Sequence, residues 1–233
     1  MSINVYWTCI EKEWLRAREP ESLNKIFYNN VKITDPLNNK THVNFCPAFK
    51  DEVNNVFSIK SLYDYSFYIK DEDKVWSDEE DQKFYEKHVY VRDIYKKFFS
   101  FYNNFIFYTD EPSLEVSQSG PYLEDTNVRN GCIVLPGKFD IGKWYRSLDF
   151  AFYMPRLVTK FEVKEGESLY YLKFHTDKKI NFIQYKNSSI LQSHLEDVYA
   201  AKEGFGYRNL LYYYSIAKNK NKILEEIKNN IIK

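Results

Sequence analysis

The sequence predicts a mainly β protein of the α+β class. The expected form is an antiparallel β-sandwich of jelly-roll type, with a mixed N-terminal segment and two C-terminal helices. Three observations carry this expectation. The 233 residues include 21 Tyr, 18 Phe and 4 Trp, and aromatic side chains suit the half-buried surface of a pleated sheet. Across residues 46–186, turn chemistry recurs about every ten residues, the spacing of short strands in a sandwich or barrel. Helical periodicity is confined to the two ends. AT-rich codon usage, which favours Phe, Tyr, Ile, Asn and Lys, is a second reason for the same composition. A chain of this length suits one domain with a sizeable core.

Residues 1–45 form the mixed segment. A short strand is expected over 4–8. EKEWLRAREPESLNKIF then reads as a helix interrupted at Pro20 and restarting at Glu21-Ser22, with Leu23, Ile26 and Phe27 on one face. VKITDPLNNKTHVNFCPAF reads as extended chain, with turns at Asp35-Pro36 and Asn38-Asn39.

Residues 46–186 form the expected sandwich core. VFSIKSLYDYSFYI alternates apolar and polar residues as a half-buried strand pair would. The acidic run DEDKVWSDEEDQ reads as a solvated loop. It lacks the ligand spacing and glycine of a calcium loop. FFSFYNNFIFYTD carries a hairpin signal: two aromatic runs flank Asn103-Asn104, and Asn tolerates the positive φ of a tight turn. SLEVSQSGPYLED adds a strand and a Gly120-Pro121 turn. Residues 132–154 supply two or three more strands, punctuated by Pro136-Gly137 and Gly142. FEVKEGESLYYLKFH gives two strands around Glu165-Gly166, and INFIQY ends the series. The strand, glycine turn and long strand of FEVKEGESLYY resemble segments of the cupin-like double-stranded β-helix.

Residues 187–233 have helical texture. SSILQSHLEDVYAAKEGF places Ile190, Leu191, His194, Leu195 and Val198 on one face, and Gly204 and Gly206 end it. NLLYYYSIAKNKNKILEEIKNNIIK reads as a second helix with a polar middle.

Composition excludes several classes of function. Lys+Arg and Asp+Glu number 33 each, so no long-range attraction to nucleic acid or to an anionic membrane is expected. Basic residues do not cluster among the aromatics, as a single-strand-binding platform requires. Zero net charge also removes one brake on self-association. Cys9, Cys46 and Cys132 are too widely spaced for a zinc pattern, and their odd number argues against a disulfide framework. A reducing compartment fits them. MSINVYWTCIEKEW lacks the basic start and apolar core of a secretory signal. No apolar run approaches the roughly 18 residues of a membrane span. A soluble, intracellular protein is expected. Walker loops, dinucleotide fingerprints, nucleophile elbows and zinc-protease helices do not occur, and no cofactor is expected.

Two constellations are candidate sites. His175 and Asp177, two apart on a strand, would point to one face, as a shared metal requires. A facial triad also needs a second histidine on a distant strand. His42 and His88 precede the pair, His194 follows it in a helix, and no His-x-His occurs. The favoured reading of Asp177-Lys178-Lys179 is a turn between strands. In FDIGKWYR, an inward Trp144 would share its face with Arg146, while Lys143 and Tyr145 point outward. Ring and guanidinium could hold a base, a sugar or a carboxylate. The alternative is an edge strand whose Trp144 caps the core and whose Arg146 pairs with Asp140 or Asp149. Asp140, Trp144 and Arg146 are the candidate ligand-binding residues. Cys9 has no histidine near it in sequence to hold a thiolate, so a small buried cysteine is expected. Glu11 and Glu13 read as surface charges rather than paired acids.

VYWTCIEKEWLRA, NFCPAFKDEVNNVFSIKS, FFSFYNNFIFYTDEPSLEVS and VLPGKFDIGKWYRSLDFAF together resemble an uncharacterised protein family of tailed phages infecting marine cyanobacteria and related hosts. The resemblance spans nearly the whole chain and carries over no catalytic residues. It implies a phage gene product made in the bacterial host cytoplasm, and leaves open whether it enters the virion. The expected function is non-catalytic: protein–protein contacts with a phage or host protein or with itself, as a virion or assembly component. Exposed Tyr and Trp should then gather in a patch beyond several hundred Å². One rival is a cupin-like, metal-dependent enzyme of oxygenase type acting on a small polar substrate through His175, Asp177 and Arg146. Another is a host-takeover protein that binds one bacterial target.

Overall fold

The computed structural model describes residues 2–10, 15–27, 46–69, 75–77, 82–93, 97–102, 105–148, 151–204, 208–217 and 219–232. The first strands are β1 (Ser2–Cys9), β2 (Glu21–Ser22), β3 (Val56–Lys60), β4 (Tyr65–Ile69) and β5 (Val75–Trp76). Next come β6 (Val89–Asp93), β7 (Phe98–Phe101), β8 (Phe105–Thr109), β9 (Glu115–Ser119) and β10 (Ile133–Val134). The series closes with β11 (Lys138–Asp140), β12 (Phe152–Tyr153), β13 (Phe161–Val163), β14 (Ser168–Phe174) and β15 (Lys179–Gln184). Short helices α1 (Pro47–Glu52), α2 (Gln82–His88) and α3 (Asn127–Gly131) interrupt the strands. Helices α4 (Ser189–Gly204), α5 (Leu210–Ile216) and α6 (Lys220–Asn229) follow them.

The strands pair in four sheets, ordered β15-β1-β8, β10-β12-β7-β6, β11-β9-β14-β3-β2 and β13-β4-β5. The mainly β, α+β class is therefore observed. Strand pairing is antiparallel apart from β1–β15, which is parallel. β1 is buried on both of its faces. Ile3, Val5, Trp7 and Cys9 enter the main core, while Tyr6 enters a second cluster on the opposite face. Along its two edges β1 pairs with β15 and β8. Thus the N-terminal segment contributes a central strand of the molecule.

All four sheets feed one aromatic core. Phe99 on β7 is its hub. Phe67, Phe152 and Phe161 lie 5.2, 5.3 and 5.1 Å from it, centroid to centroid. Offset and edge-to-face pairs of this kind add about 0.5–1.5 kcal/mol each beyond the area they bury. The aromatic-rich composition thus serves the interior: the fully buried side chains include Trp7, Tyr65, Tyr85, Tyr108, Tyr171 and Tyr185.

The second cluster joins the other face of the β15-β1-β8 sheet to the C-terminal helices. Tyr6, Ile106 and Tyr108 from the sheet meet Leu191 and Leu195 of α4 and Ile223, Leu224 and Ile227 of α6. β8 alternates accordingly, with Phe105 and Phe107 in the main core and Ile106 and Tyr108 in this one. A third cluster packs Leu23 and Ile26, from a helical turn at 23–27, against Val53, Val56 and Tyr171.

Several local expectations need correction. β3 and β4 both form, but β3 pairs with β14 and β2, and β4 with β13 and β5. β7 and β8 also form, yet β7 pairs with β6 and β12, and β8 with β1. β8 is buried along its whole length, which places it in the central sheet. β13 and β14 likewise lie in different sheets, with Gly166 at φ +84° in the turn between them. The expected second C-terminal helix is two helices, α5 and α6, separated at Asn219, which sits at φ 76°. In α4, Leu191 and Leu195 are buried as expected, but Ile190 is exposed. The turns at Asp35-Pro36, Asn38-Asn39 and Asn103-Asn104 lie outside the described residues, as do Glu11, Glu13, His42, Asp149, Gly206 and most of the acidic run.

Candidate functional site

The FDIGKWYR segment is a loop leaving β11, where a strand was expected. Asp140, at 2% exposure, organises it. Its Oδ1 accepts from the amides of Leu114 at 2.9 Å and Gly142 at 2.8 Å. Its Oδ2 accepts from Ser113 Oγ and pairs with Lys143 Nζ at 3.0 Å. Burial works to raise the carboxyl pKa. The Ser113 hydroxyl, the Leu114 amide, Lys143 and the Gly142 amide together hold it below its ordinary value. The close approach requires glycine at 142, because a Cβ there would lie 2.7 Å from the Glu111 carbonyl oxygen.

The loop turns Trp144 inward, to 3% exposure, and leaves Lys143 exposed, both as expected. Tyr145 was expected to face out. It is buried at 2%, because the loop crosses from one cluster to the other and Tyr145 belongs to the second. Its hydroxyl meets that of Tyr185 at 3.1 Å. The Trp144 ring stacks on Tyr213 of α5 at 5.0 Å, and the Arg146 guanidinium lies 4.6 Å from its centroid. The expected Trp144–Arg146 pairing is therefore present, with a helix residue stacked on the same ring. Lys143 is the cation on the Asp140 carboxylate, and Arg146 Nε donates to the Ser147 carbonyl at 2.9 Å.

His175 and Asp177 lie in the turn between β14 and β15, and both are exposed. His175 Nε2 lies 2.8 Å from Ser117 Oγ, and the His175 amide donates to the Glu115 carbonyl. Partial burial, with Lys138 and Lys173 nearby, lowers the imidazole pKa below its ordinary value. No group of three His, Cys, Asp or Glu among the described residues is placed to hold a metal ion.

A buried polar network went unforeseen. Lys60 Nζ contacts Ser168 Oγ at 2.7 Å and Glu124 Oε1 at 3.1 Å. Ser168 also donates to Glu124, meets Ser58 Oγ at 2.6 Å, and shares the carboxylate with the Tyr171 hydroxyl. Serine beside lysine has the residue types of a nucleophile and its base. Here Ser168 has no exposed surface, and the network ties α3's preceding loop to the register shift at the start of β14. Cys9 is buried as expected, and burial pushes the Cys132 thiol up to about 12, so Cys132 stays protonated near neutral pH.

A cavity with aromatic walls lies beneath α4 and α5. Its volume is about 160 Å³. Tyr108 lies on the sheet side, Trp144, Tyr145 and Tyr213 form walls, and His194 and Asp197 line it from α4. Lys143 also lines it, whereas Arg146 and Asp140 are not among the lining residues. Of the sequence candidates, only Trp144 reaches this cavity. His194 was legible as part of the inward helix face. Tyr108, Asp197 and Tyr213 had no signal of their own, since their meeting depends on three separate elements.

Among the described residues, the exposed large hydrophobic side chains include Leu210, Leu211 and Ile216 of α5, with Leu211 at 74%. Tyr102 and Tyr122 are the exposed aromatics in that set. Among the described residues no Trp is exposed, and Leu157, outside α5, is the most exposed large hydrophobic side chain at 97%. No described helix is long and apolar enough to cross a membrane. Comparison of the chain with protein-family models, curated proteins and solved structures yields no match.

Proposed function

We propose that this is a non-catalytic protein that works by protein contact, in the specific form of a phage virion or assembly component made in the bacterial host cytoplasm. The observation that carries the reading is α5. This seven-residue helix buries Tyr213 and exposes Leu210, Leu211 and Ile216. Covering these exposed side chains removes apolar surface from water, worth about 25 cal/mol per Å² before the costs of association. The partner we assign to it is another copy of the chain. With Lys+Arg and Asp+Glu equal at 33, no net repulsion opposes association of copies. The jelly-roll reading of the sheets belongs to the same proposal, since that architecture suits a protein that packs its interior and works from its surface. The phage resemblance of the sequence supports the setting.

Mass analysis of purified particles tests the reading. The protein is expected in stoichiometric amounts, and Leu211→Asp is expected to deplete it from particles without reducing its soluble level. Particles that lack the wild-type protein would refute the virion form. Pull-down from host lysate that recovers one stoichiometric bacterial protein, with no self-association, would favour host takeover instead.

A further inference from the structure

We infer that α5 is a detachable element held by the loop that follows β11, and that this loop governs how α5 presents its exposed aliphatic side chains. The consequence for self-association rests on the reading given above; the docking itself does not. A helix of seven residues is too short to persist alone in water, so α5 depends on what holds it. Its neighbours are held in the second cluster, through Leu191 and Leu195 of α4 and Ile223, Leu224 and Ile227 of α6. Tyr213, the buried residue of α5, belongs to none of the three clusters. The cavity of about 160 Å³ is lined by Tyr213 and Ile216 from α5 and by His194, Val198 and Ala201 from α4. Across it the two helices lack close packing, and with it the dispersion contacts that a filled interior supplies.

The loop supplies the hold. Tyr213 stacks on Trp144 at 5.0 Å, with an interplanar angle of 11°. The Tyr214 hydroxyl accepts from the Asp140 amide at 2.7 Å. The Tyr214 ring lies 5.7 Å from Lys143 Nζ, the ammonium on the Asp140 carboxylate. Just past the break at Asn219, Lys220 Nζ donates to the carbonyls of Glu111 and, at 2.9 Å, Gly142. Residues within α5 and just after it thus grip one loop, whose shape the Asp140 carboxylate fixes through the Leu114 and Gly142 amides. This hold is aromatic and polar, while Leu210 and Leu211 are exposed. Segments that bury little apolar surface open below the cost of global unfolding. Once undocked, α5 loses its frame, and its aliphatic side chains must be reordered before a second copy covers them. That cost weakens association.

Hydrogen exchange read by mass spectrometry tests this on the whole protein carrying Leu211→Asp, so that docking is measured apart from self-association. Protection factors of α5 amides are expected to lie at least about tenfold below those of α6 and β1. Tyr214→Phe, added to that chain, is expected to speed exchange in α5 about fivefold, the worth of one hydrogen bond of about 1 kcal/mol, and to leave α6 and β1 unchanged. Equal protection of α5 and α6, no effect of Tyr214→Phe on α5, or an effect spread evenly over all three elements would overturn the inference. Light scattering with Leu211 in place reads the consequence. Tyr213→Leu combined with Tyr214→Phe is expected to raise the concentration of half-association about fivefold or more, since each copy must redock α5. Undiminished association of that double variant, with α5 exchanging fast, would also overturn it. A wild type that never associates while α5 exchanges as expected would refute the self-association reading and support the detachable helix.

Discussion

Asp140 shows how one side chain fixes a loop. Its carboxylate gathers two amides, one hydroxyl and one ammonium, and such charge-assisted bonds exceed neutral ones in strength. Asp140→Asn is expected to lower stability by about 1–3 kcal/mol at neutral pH, read by urea denaturation. The carboxyl pKa is lower in the folded protein than unfolded. Its contribution is therefore complete above the unfolded value and lost as pH falls through the folded one. The difference between wild type and variant should shrink as pH falls below about 4. A gap that stays constant to low pH would show that the loop depends on shape rather than charge. Asp140, Trp144 and Arg146 were legible because charge, ring and guanidinium stand close in sequence. Their actual partners, Ser113, Leu114 and Tyr213, were not, since each comes from another element.

At the scale of elements, strands were easier to read than their pairing. Both halves of FFSFYNNFIFYTD are strands, because alternating aromatics favour a pleated surface. Which strands meet is decided by burial on both faces, and no local pattern records that β8 belongs beside β1. The C-terminal helices teach the same lesson. The Lys/Asn-rich stretch read as the polar middle of one helix contains the break, since Asn accepts the left-handed conformation found at Asn219. Asn219→Val should destabilise by about 1 kcal/mol or more, because a β-branched residue resists positive φ. Helix α6 docks through Ile223, Leu224 and Ile227. Ile227→Ala should cost about 2–5 kcal/mol and speed amide exchange in α6 before exchange in the sheets. Equal acceleration everywhere would show that α6 and the sheets unfold as one unit.

The whole molecule is built around an aromatic interior to which all four sheets contribute. Phe99→Ala removes the ring at its centre and should cost about 3–5 kcal/mol in thermal or chemical unfolding. A loss below about 1 kcal/mol would mean that the neighbouring rings close the gap. The mainly β character and the closing helical region were legible from composition and periodicity. The destination of the aromatics was not: a surface patch was expected, and the interior holds most of those among the described residues. Size-exclusion chromatography with light scattering, run on wild type and Leu211→Asp at matched concentrations, tests the contact reading most directly. Wild type should elute with a mass at least twice its 28.1 kDa chain, and the variant should approach the single-chain mass. A wild-type protein that stays at the single-chain mass up to about 100 μM, well above the Kd range of specific interfaces, would contradict it.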